Sequence, residues 1–185
     1  FLLLVFTISA SAKPNIVFII ADDCTFRDLG CYGGQAHTPN INKLADQGMS
    51  FTRCFQTAPM CSPTRHNIYT GIPPVVSGAY PNHTFVAPET KSVVQYLSKL
   101  GYTVAQSGKT HVSPNKVFNW KKIPGGQNPQ FGKVDSFIKE QAGKEKPFCL
   151  LLCSNEPHSP WNKGDRSRYP VDQVKLPPYF VDTPE

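Results

Sequence analysis

The segment Cys61-Ser62-Pro63-Thr64-Arg65 has the most specific chemical pattern in the chain. It places a cysteine at the start of a predicted helix and an arginine four residues later, one turn away on the same face. A helix N-terminus presents free N–H groups and the positive end of the dipole, and an arginine can bind two oxygens of an oxyanion. The pattern indicates an anionic substrate. Cys61 alone reads either as a thiolate nucleophile or as a structural or disulfide-bonded cysteine.

Three predicted strands are each followed by charged or titratable side chains. The strands are residues 15–21, 102–107 and 148–153, and the side chains that follow them are Asp22 and Asp23, Lys109 and His111, and His158. Ligand sites in open parallel sheets lie beyond the carboxyl ends of the strands. This convergence on one sheet edge predicts an enzyme.

Asp22 and Asp23 are adjacent carboxylates at the end of an apolar strand. Their mutual repulsion is relieved by a divalent cation, and oxygen ligands favour Ca²⁺ or Mg²⁺. The alternative is an ordinary pair of turn or helix N-cap carboxylates. His83, in a proline-rich loop, is predicted to line the substrate mouth, and Asn82-His83-Thr84 is also a glycosylation sequon.

The elements around these residues alternate between strand and helix, which predicts an α/β fold with a mainly parallel sheet flanked by helices. Besides the three strands, the expected elements are a helix opened by Thr38-Pro39 and ending at Gly48, a strand over residues 50–55, helices over residues 61–69, 89–100 and 134–142, and loops over residues 73–88 and 114–132. The first strand is unbroken apolar sequence and is expected to be fully buried.

Residues 1–8 (FLLLVFTI) form an apolar run that ends in small residues up to Ala12. This is typical of the end of a secretory signal peptide whose basic start is missing, and the run is too short to span a bilayer. A buried first strand is the alternative. We therefore expect an exported protein (periplasmic, extracellular or lysosomal, depending on the organism), with residues 1–12 as the signal and residues 13–185 as part of one catalytic domain.

The composition limits the kinds of partner that the protein is expected to bind. The net charge is +6 and the pI is about 9.0, which suits an anionic partner, although ordinary solvated charge gives the same values. No run of Lys and Arg is present, so nucleic acid is not expected. The six cysteines fit three disulfides in an exported chain, but Cys149 and Cys153 lie in an apolar run where free thiols are common.

Taken together, these motifs resemble those of the type I sulfatases. The segment from Cys61 to Arg65 matches the family's C-x-P-x-R motif and is followed by Thr70-Gly71. The other blocks match in order: Asp22-Asp23, Gly108-Lys109-Thr110-His111 and Pro157-His158-Ser159-Pro160. The resemblance covers residues 13–185, and residues 108–118 and 176–184 look closest to the heparan N-sulfatase (sulfamidase) branch.

The resemblance implies the N-terminal part of an alkaline-phosphatase-like fold and a specific chemistry. A formylglycine-generating or equivalent maturation enzyme would oxidise Cys61 to formylglycine, whose hydrated aldehyde attacks the sulfur of a sulfated sugar or glycosaminoglycan and later expels sulfate. One Ca²⁺ would be bound by Asp22, Asp23 and the modified Cys61. The remaining roles it implies are Arg65 holding the diol, Lys109 and His111 contacting the diol and sulfate, His111 acting as the base, and His158 binding sulfate or protonating the leaving group.

In this family the second half of the protein supplies further metal ligands, so we expect the isolated chain to be inactive and poorly stable. Two other functions stay open. One is a phosphonate monoester or phosphodiester hydrolase of the same superfamily, because both anions are tetrahedral. The other is a non-catalytic secreted module whose cysteines are all paired.

Overall fold

A four-stranded, fully parallel sheet organises the first part of the fold, in a computed structural model that describes residues 13–144 and 146–183. The strands are β1 (Ile16–Ala21), β2 (Thr103–Gly108), β3 (Lys121–Lys122) and β4 (Phe148–Ser154). Their order in the sheet is β1-β4-β2-β3. The α/β class and the parallel sheet predicted from the sequence are confirmed. The predicted signal peptide lies outside the described residues.

Helices connect and flank these strands. They are α1 (Pro39–Gln47), α2 (Cys61–Thr70), α3 (Pro74–Ser77), α4 (Val93–Lys99) and α5 (Phe131–Ala142). The start of α4 is fixed by a capping box in which Ser92 and Gln95 satisfy each other's backbone N–H groups. Ser92 therefore sets the beginning of the helix, four residues after the start predicted at residue 89.

The chain divides into two compact units. The first contains the described residues up to Asp22 together with Gln56–Glu156, and so holds the whole sheet. Its core has two parts. One contains Tyr69, Phe118 and Trp120, whose rings meet edge-on or tilted, and the other contains Phe137 of α5 against Phe148 of β4.

The strand β1 is an exception to the predicted burial. It pairs with β4 on one side and lies at an edge of the sheet. Val17, Phe18 and Ile19 remain 49%, 42% and 66% exposed. The expectation of a fully buried strand is therefore wrong for the described structure. An unbroken apolar run indicates a strand, but it does not indicate how many other elements pack against that strand.

Three other predictions also differ from the structure. Residues 50–55 form no strand, since they lie in an irregular stretch that pairs with nothing in the described sheet. The predicted loop 73–88 contains the single-turn α3, and the loop 114–132 contains the two-residue β3. Such short elements carry too few residues for a recognisable period.

The second unit contains Asp23–Phe55 and the described residues from Pro157 onward. It holds α1 and four short 3₁₀ turns at Phe26–Asp28, Gly30–Tyr32, Arg166–Arg168 and Val171–Gln173. Distant segments are joined by polar contacts, such as the Gln35 side chain, which accepts from the Lys175 N–H and donates to its carbonyl at 2.8 Å each. Among the described residues, no helix combines the length and apolar character needed to cross a bilayer.

Candidate active site

Asp22 lies directly after β1, at the carboxyl edge of the sheet, and is 3% exposed. Its Oδ1 accepts a hydrogen bond from the Nη2 of Arg65 at 3.0 Å, and its Oδ2 accepts one from the Nζ of Lys109. Burial by itself would raise the pKa of this carboxyl, but the hydrogen bonds from Lys109 and Arg65 outweigh burial and hold the pKa below its usual value. Asp22 is thus a buried, ionised carboxylate between two cations.

Arg65 is the most buried charged residue of this cluster, at 1% exposure. Its position on α2 directs Nη2 to Asp22, while Nη1 donates to the backbone carbonyl of Lys109 at 3.0 Å. The Nε of Arg65 is buried and has no partner. A buried N–H without a hydrogen-bond partner costs free energy.

Lys109 follows β2, and its backbone is held against the neighbouring strand. Its N–H donates to the carbonyl of Cys153 at 2.9 Å. The preceding Gly108 makes this approach possible: it has φ +86°, and a Cβ there would lie 1.9 Å from the Cys153 carbonyl oxygen. Gly108 therefore sets the position from which the Lys109 ammonium reaches Asp22.

Cys61 is the first residue of α2, as the sequence predicts, and is half-buried. The preceding Met60 makes no side-chain cap, so the helix N-terminus is free to meet a ligand. The Sγ of Cys61 lies 3.8 Å from Oδ1 of Asn82. Asn82 was noted in the sequence only as part of a sequon, and nothing in the pattern of a proline-rich loop indicated its contact with Cys61.

The side chains of His111 and His83 are in contact within the same unit. The Nε2 of His111 lies 2.8 Å from the Nδ1 of His83. Burial lowers the pKa of His111, and the charges of His83, Lys109 and Arg65 lower it further, so the neutral ring is favoured. The backbone turns at His111, whose φ of +50° lies in the left-handed region.

His66 supports this turn. It is fully buried, its Nδ1–H donates to the Ser62 carbonyl at 2.8 Å, and its Nε2 accepts the Ser113 N–H at 3.2 Å. The ring thereby links the first turn of α2 to the segment that carries His111.

Asp23 and His158 lie in the second unit. Asp23 is exposed and has φ +57°, and its Oδ2 lies 3.6 Å from the Nε2 of His158. The Nδ1 of His158 makes a local hydrogen bond with the Ser159 carbonyl at 2.7 Å. The catalytic role predicted for His158 and the metal-binding role predicted for Asp23 stay predictions.

The fit to a divalent cation can be judged from the donors present. Asp22 is ionised and buried, and its carboxylate oxygens are of the kind that Ca²⁺ prefers. Over the described ranges, however, no group of three or more His, Cys, Asp and Glu side chains could hold an ion. The donors therefore fit Ca²⁺ in kind but are too few for its usual six to eight ligands.

The cysteines give no support to a disulfide-bonded module. All six lie in the described residues and all are free thiols. Cys149 and Cys153 are buried, as expected for thiols inside an apolar strand, and the Cys153 Sγ lies 3.3 Å from the Tyr69 hydroxyl.

Comparison with known proteins identifies the family. The sulfatase family model matches residues 14–134, which is more than half of the chain. This chain belongs to the sulfatase family. The matched region contains Asp22, Cys61, Arg65, Lys109 and His111, whose roles in catalysis or metal binding stay predictions.

Two curated relatives and a solved structure show the range of similarity. An ulvan-active sulfatase from Formosa agariphila is 38% identical over 177 residues, covering 89% of this chain and 36% of the relative. An N-acetylglucosamine-6-O-sulfatase from Bacteroides thetaiotaomicron is 28% identical and covers 83% of this chain and 32% of the relative. A structure solved with its substrate D-glucosamine-2-N,6-O-disulfate has a TM-score of 0.68 at 25% identity, covering 80% of this chain and 35% of that one.

The sulfatase chain therefore spans about a third of the length of these curated relatives. The resemblance to type I sulfatases and the alkaline-phosphatase-like α/β fold are confirmed. The finer resemblance to the sulfamidase branch stays a prediction.

Proposed function

We propose that the protein is a formylglycine-dependent sulfatase that hydrolyses a sulfuric ester or sulfamate on a sugar. The observation that carries this proposal is the buried cluster of Asp22, Arg65 and Lys109. Two cations and one carboxylate leave a surplus positive charge beside the free N-terminus of α2, where Cys61 stands. A buried positive surplus at a helix N-terminus is suited to an anion such as sulfate.

Each predicted site residue has a proposed task, which the contacts of Arg65, Lys109 and His111 support. Arg65, fixed by Asp22 and the Lys109 carbonyl, provides a positive charge for the reacting group. Lys109 provides a point charge for a sulfate oxygen and balances Asp22. His111, held neutral, accepts a proton when sulfate is released. His158 donates a proton to the leaving oxygen or nitrogen, and His83 lies at the substrate mouth beside His111.

The proposed cofactors supply the remaining chemistry. A formylglycine at position 61 would provide the oxygen nucleophile, and a Ca²⁺ bound by Asp22, Asp23 and residue 61 would provide Lewis-acid stabilisation. The maturation enzyme that makes formylglycine is a required partner. We also propose that the protein is exported, since residues 1–12 have the composition of a signal peptide.

The substrate class rests on the relatives. Those described above are named for activity on ulvan and on N-acetylglucosamine 6-O-sulfate, and the solved structure holds a disulfated glucosamine. A sulfated sugar or glycosaminoglycan is therefore the proposed substrate. The net charge of +6 favours such a polyanion.

The first experiment measures the mass of the peptide that contains Cys61, in protein expressed from its complete gene in cells with the maturation enzyme. Conversion to formylglycine lowers the peptide mass relative to cysteine. The exposed Cys54 serves as the matched control and retains its mass. An unaltered thiol at position 61 in active protein contradicts the proposal.

The second experiment compares hydrolysis of an aryl sulfate with hydrolysis of a phosphodiester. We expect a higher kcat/KM for the sulfate, and we expect Cys61→Ala to lose turnover while Cys54→Ala retains it. Higher efficiency on the diester would assign the protein to the phosphonate and phosphodiester hydrolases instead.

A further inference from the structure

The contact between His83 and His111 is too close to be incidental. The ring centroids are 4.6 Å apart at an interplanar angle of 45°, and Nδ1 of His83 is 2.8 Å from Nε2 of His111. At that distance one nitrogen donates a hydrogen bond and the other accepts it. The two residues come from different loops, 28 positions apart in the sequence.

Both residues have an uncommon backbone conformation. His83 has φ +64° and His111 has φ +50°, which lies in the left-handed region that few non-glycine residues occupy. Such conformations carry a cost and tend to occur at functional sites. Here both conformations occur in the two residues whose rings face each other.

The other ring nitrogen of His111 indicates that a ligand binds beside it. Its Nδ1 is buried and has no hydrogen-bond partner. Besides His83, the charged groups that act on the ring are Lys109, Arg65 and Asp22, so this nitrogen belongs to the same cluster as the proposed sulfate site. A buried, unpaired polar atom in that setting is explained by a reacting group that binds there.

The position of one proton decides whether Nδ1 of His111 can act as a base. If Nε2–H of His111 donates to Nδ1 of His83, then Nδ1 of His111 is bare and can accept a proton. If Nδ1–H of His83 donates instead, Nε2 of His111 is the acceptor and its Nδ1 carries the hydrogen. A His83 protonated on both nitrogens imposes this second arrangement.

We propose that His83 is a positioning residue that accepts the Nε2–H of His111 and thereby keeps Nδ1 of His111 free to take a proton from the reacting group. The inference deepens the proposed function and rests on it. The same contact makes His83 a determinant of the acidic limb of the rate profile, because a second proton on His83 reverses the hydrogen bond and leaves Nδ1 of His111 protonated.

Two variants separate the hydrogen bond from the charge. In His83→Asn, the Oδ1 atom can occupy the place of Nδ1 and accept from His111, and asparagine tolerates the left-handed backbone. In His83→Ala, the acceptor is lost. The exposed His37 lies in the second unit, and His37→Asn is the matched control with unchanged kinetics.

We expect kcat of His83→Ala to fall about 10- to 100-fold, the usual range for loss of a group that orients a ligand or base, with KM within about twofold. His83→Asn restores most of kcat. In both variants the acidic limb of kcat/KM moves to higher pH, since removal of the imidazole removes one of the causes that lower the pKa of His111. Equal losses in the two variants with an unmoved limb overturn the proposal.

A measurement without turnover keeps this inference separate from the proposed function. Long-range ¹H–¹⁵N NMR reports which ring nitrogen of His111 is protonated. We expect Nε2–H in the unaltered protein and in His83→Asn, and a mixture of tautomers in His83→Ala. An unchanged tautomer in folded His83→Ala overturns the proposal, and if that variant does not fold, an unaltered acidic limb in His83→Asn overturns it. An altered tautomer in a protein without sulfatase activity supports the positioning role while refuting the function.

Discussion

Replacing Gly108 by alanine tests whether the contact between β2 and β4 fixes the site. The added Cβ would lie 1.9 Å from the Cys153 carbonyl oxygen, whereas real Cβ atoms essentially never come within 3.0 Å. Because the atom it meets is backbone, β2 and β4 must separate there. The left-handed conformation costs about 1–2 kcal/mol for a residue with a Cβ. Loss of the bond between Lys109 N–H and Cys153 O adds about 1–3 kcal/mol.

Gly101→Ala is the matched control. Gly101 has φ +90°, close to the +86° of Gly108, but a Cβ there meets no atom within 4 Å. Gly101→Ala should therefore lower the free energy of unfolding only by the cost of the left-handed conformation, about 1–2 kcal/mol. The assay is the free energy of unfolding by chemical denaturation, with Gly108→Ala expected about 1–3 kcal/mol below the control.

Sulfatase turnover gives the second readout of this pair. Displacement of Lys109 in Gly108→Ala should lower kcat, while Gly101→Ala retains it. If the two alanine variants unfold at the same free energy and turn over alike, the close approach of the strands does not position Lys109, and the reasoning is refuted.

Three further predictions concern the charged groups. Arg65→Met should destabilise the fold by about 3 kcal/mol or more, because it removes one partner of a buried ion pair. The control Lys139→Met, in an exposed ion pair, should change the free energy of unfolding by less than about 1 kcal/mol. Denaturation curves of the two variants that coincide would contradict this prediction. Lys109→Met should lower kcat by about 100-fold or more in a sulfatase assay, since a fixed charge facing the transition state is lost, and unaltered turnover would exclude that role. The free energy of unfolding should fall as the pH drops through the usual His pKa of 6.5, because His111 takes up a proton in the unfolded chain before it does so in the folded state. The slope of this free energy against pH should be smaller in His111→Gln. Identical slopes would show that His111 does not titrate differently on folding.

The fold could be predicted where residue pattern and burial agree. The helix α2 and the strand β4 were predicted nearly to the residue, because a glycine ends one and a continuous apolar run defines the other. The strand predicted at residues 50–55 failed because short apolar stretches have no pairing partner encoded locally. The exposure of β1 depends on which elements cover its faces, which no local pattern states.

The sequence could predict which residues belong to the candidate site but not which of them contact one another. The order of strands in the sheet brings Asp22 and Lys109 to one edge, and the helical spacing brings Arg65 beside them. The turn at His111, by contrast, depends on a positive φ and on a buried contact with His66, neither of which has a sequence period. For the same reason the pairing of His83 with His111 could not be predicted from a proline-rich loop.

Stability and chemistry are coupled at this edge because the same groups serve both. Asp22 lies directly after β1, Lys109 follows β2, and Arg65 ties both to α2 through bonds that are almost wholly buried. A variant that breaks one of these bonds leaves a buried charge without its partner, so a loss of activity can arise from a loosened fold. A chemical role of a residue is therefore shown only by a variant that changes the enzyme kinetics and leaves the free energy of unfolding unchanged. His83→Asn is suited to that test because His83 is exposed and its contact can be retained while its charge is removed.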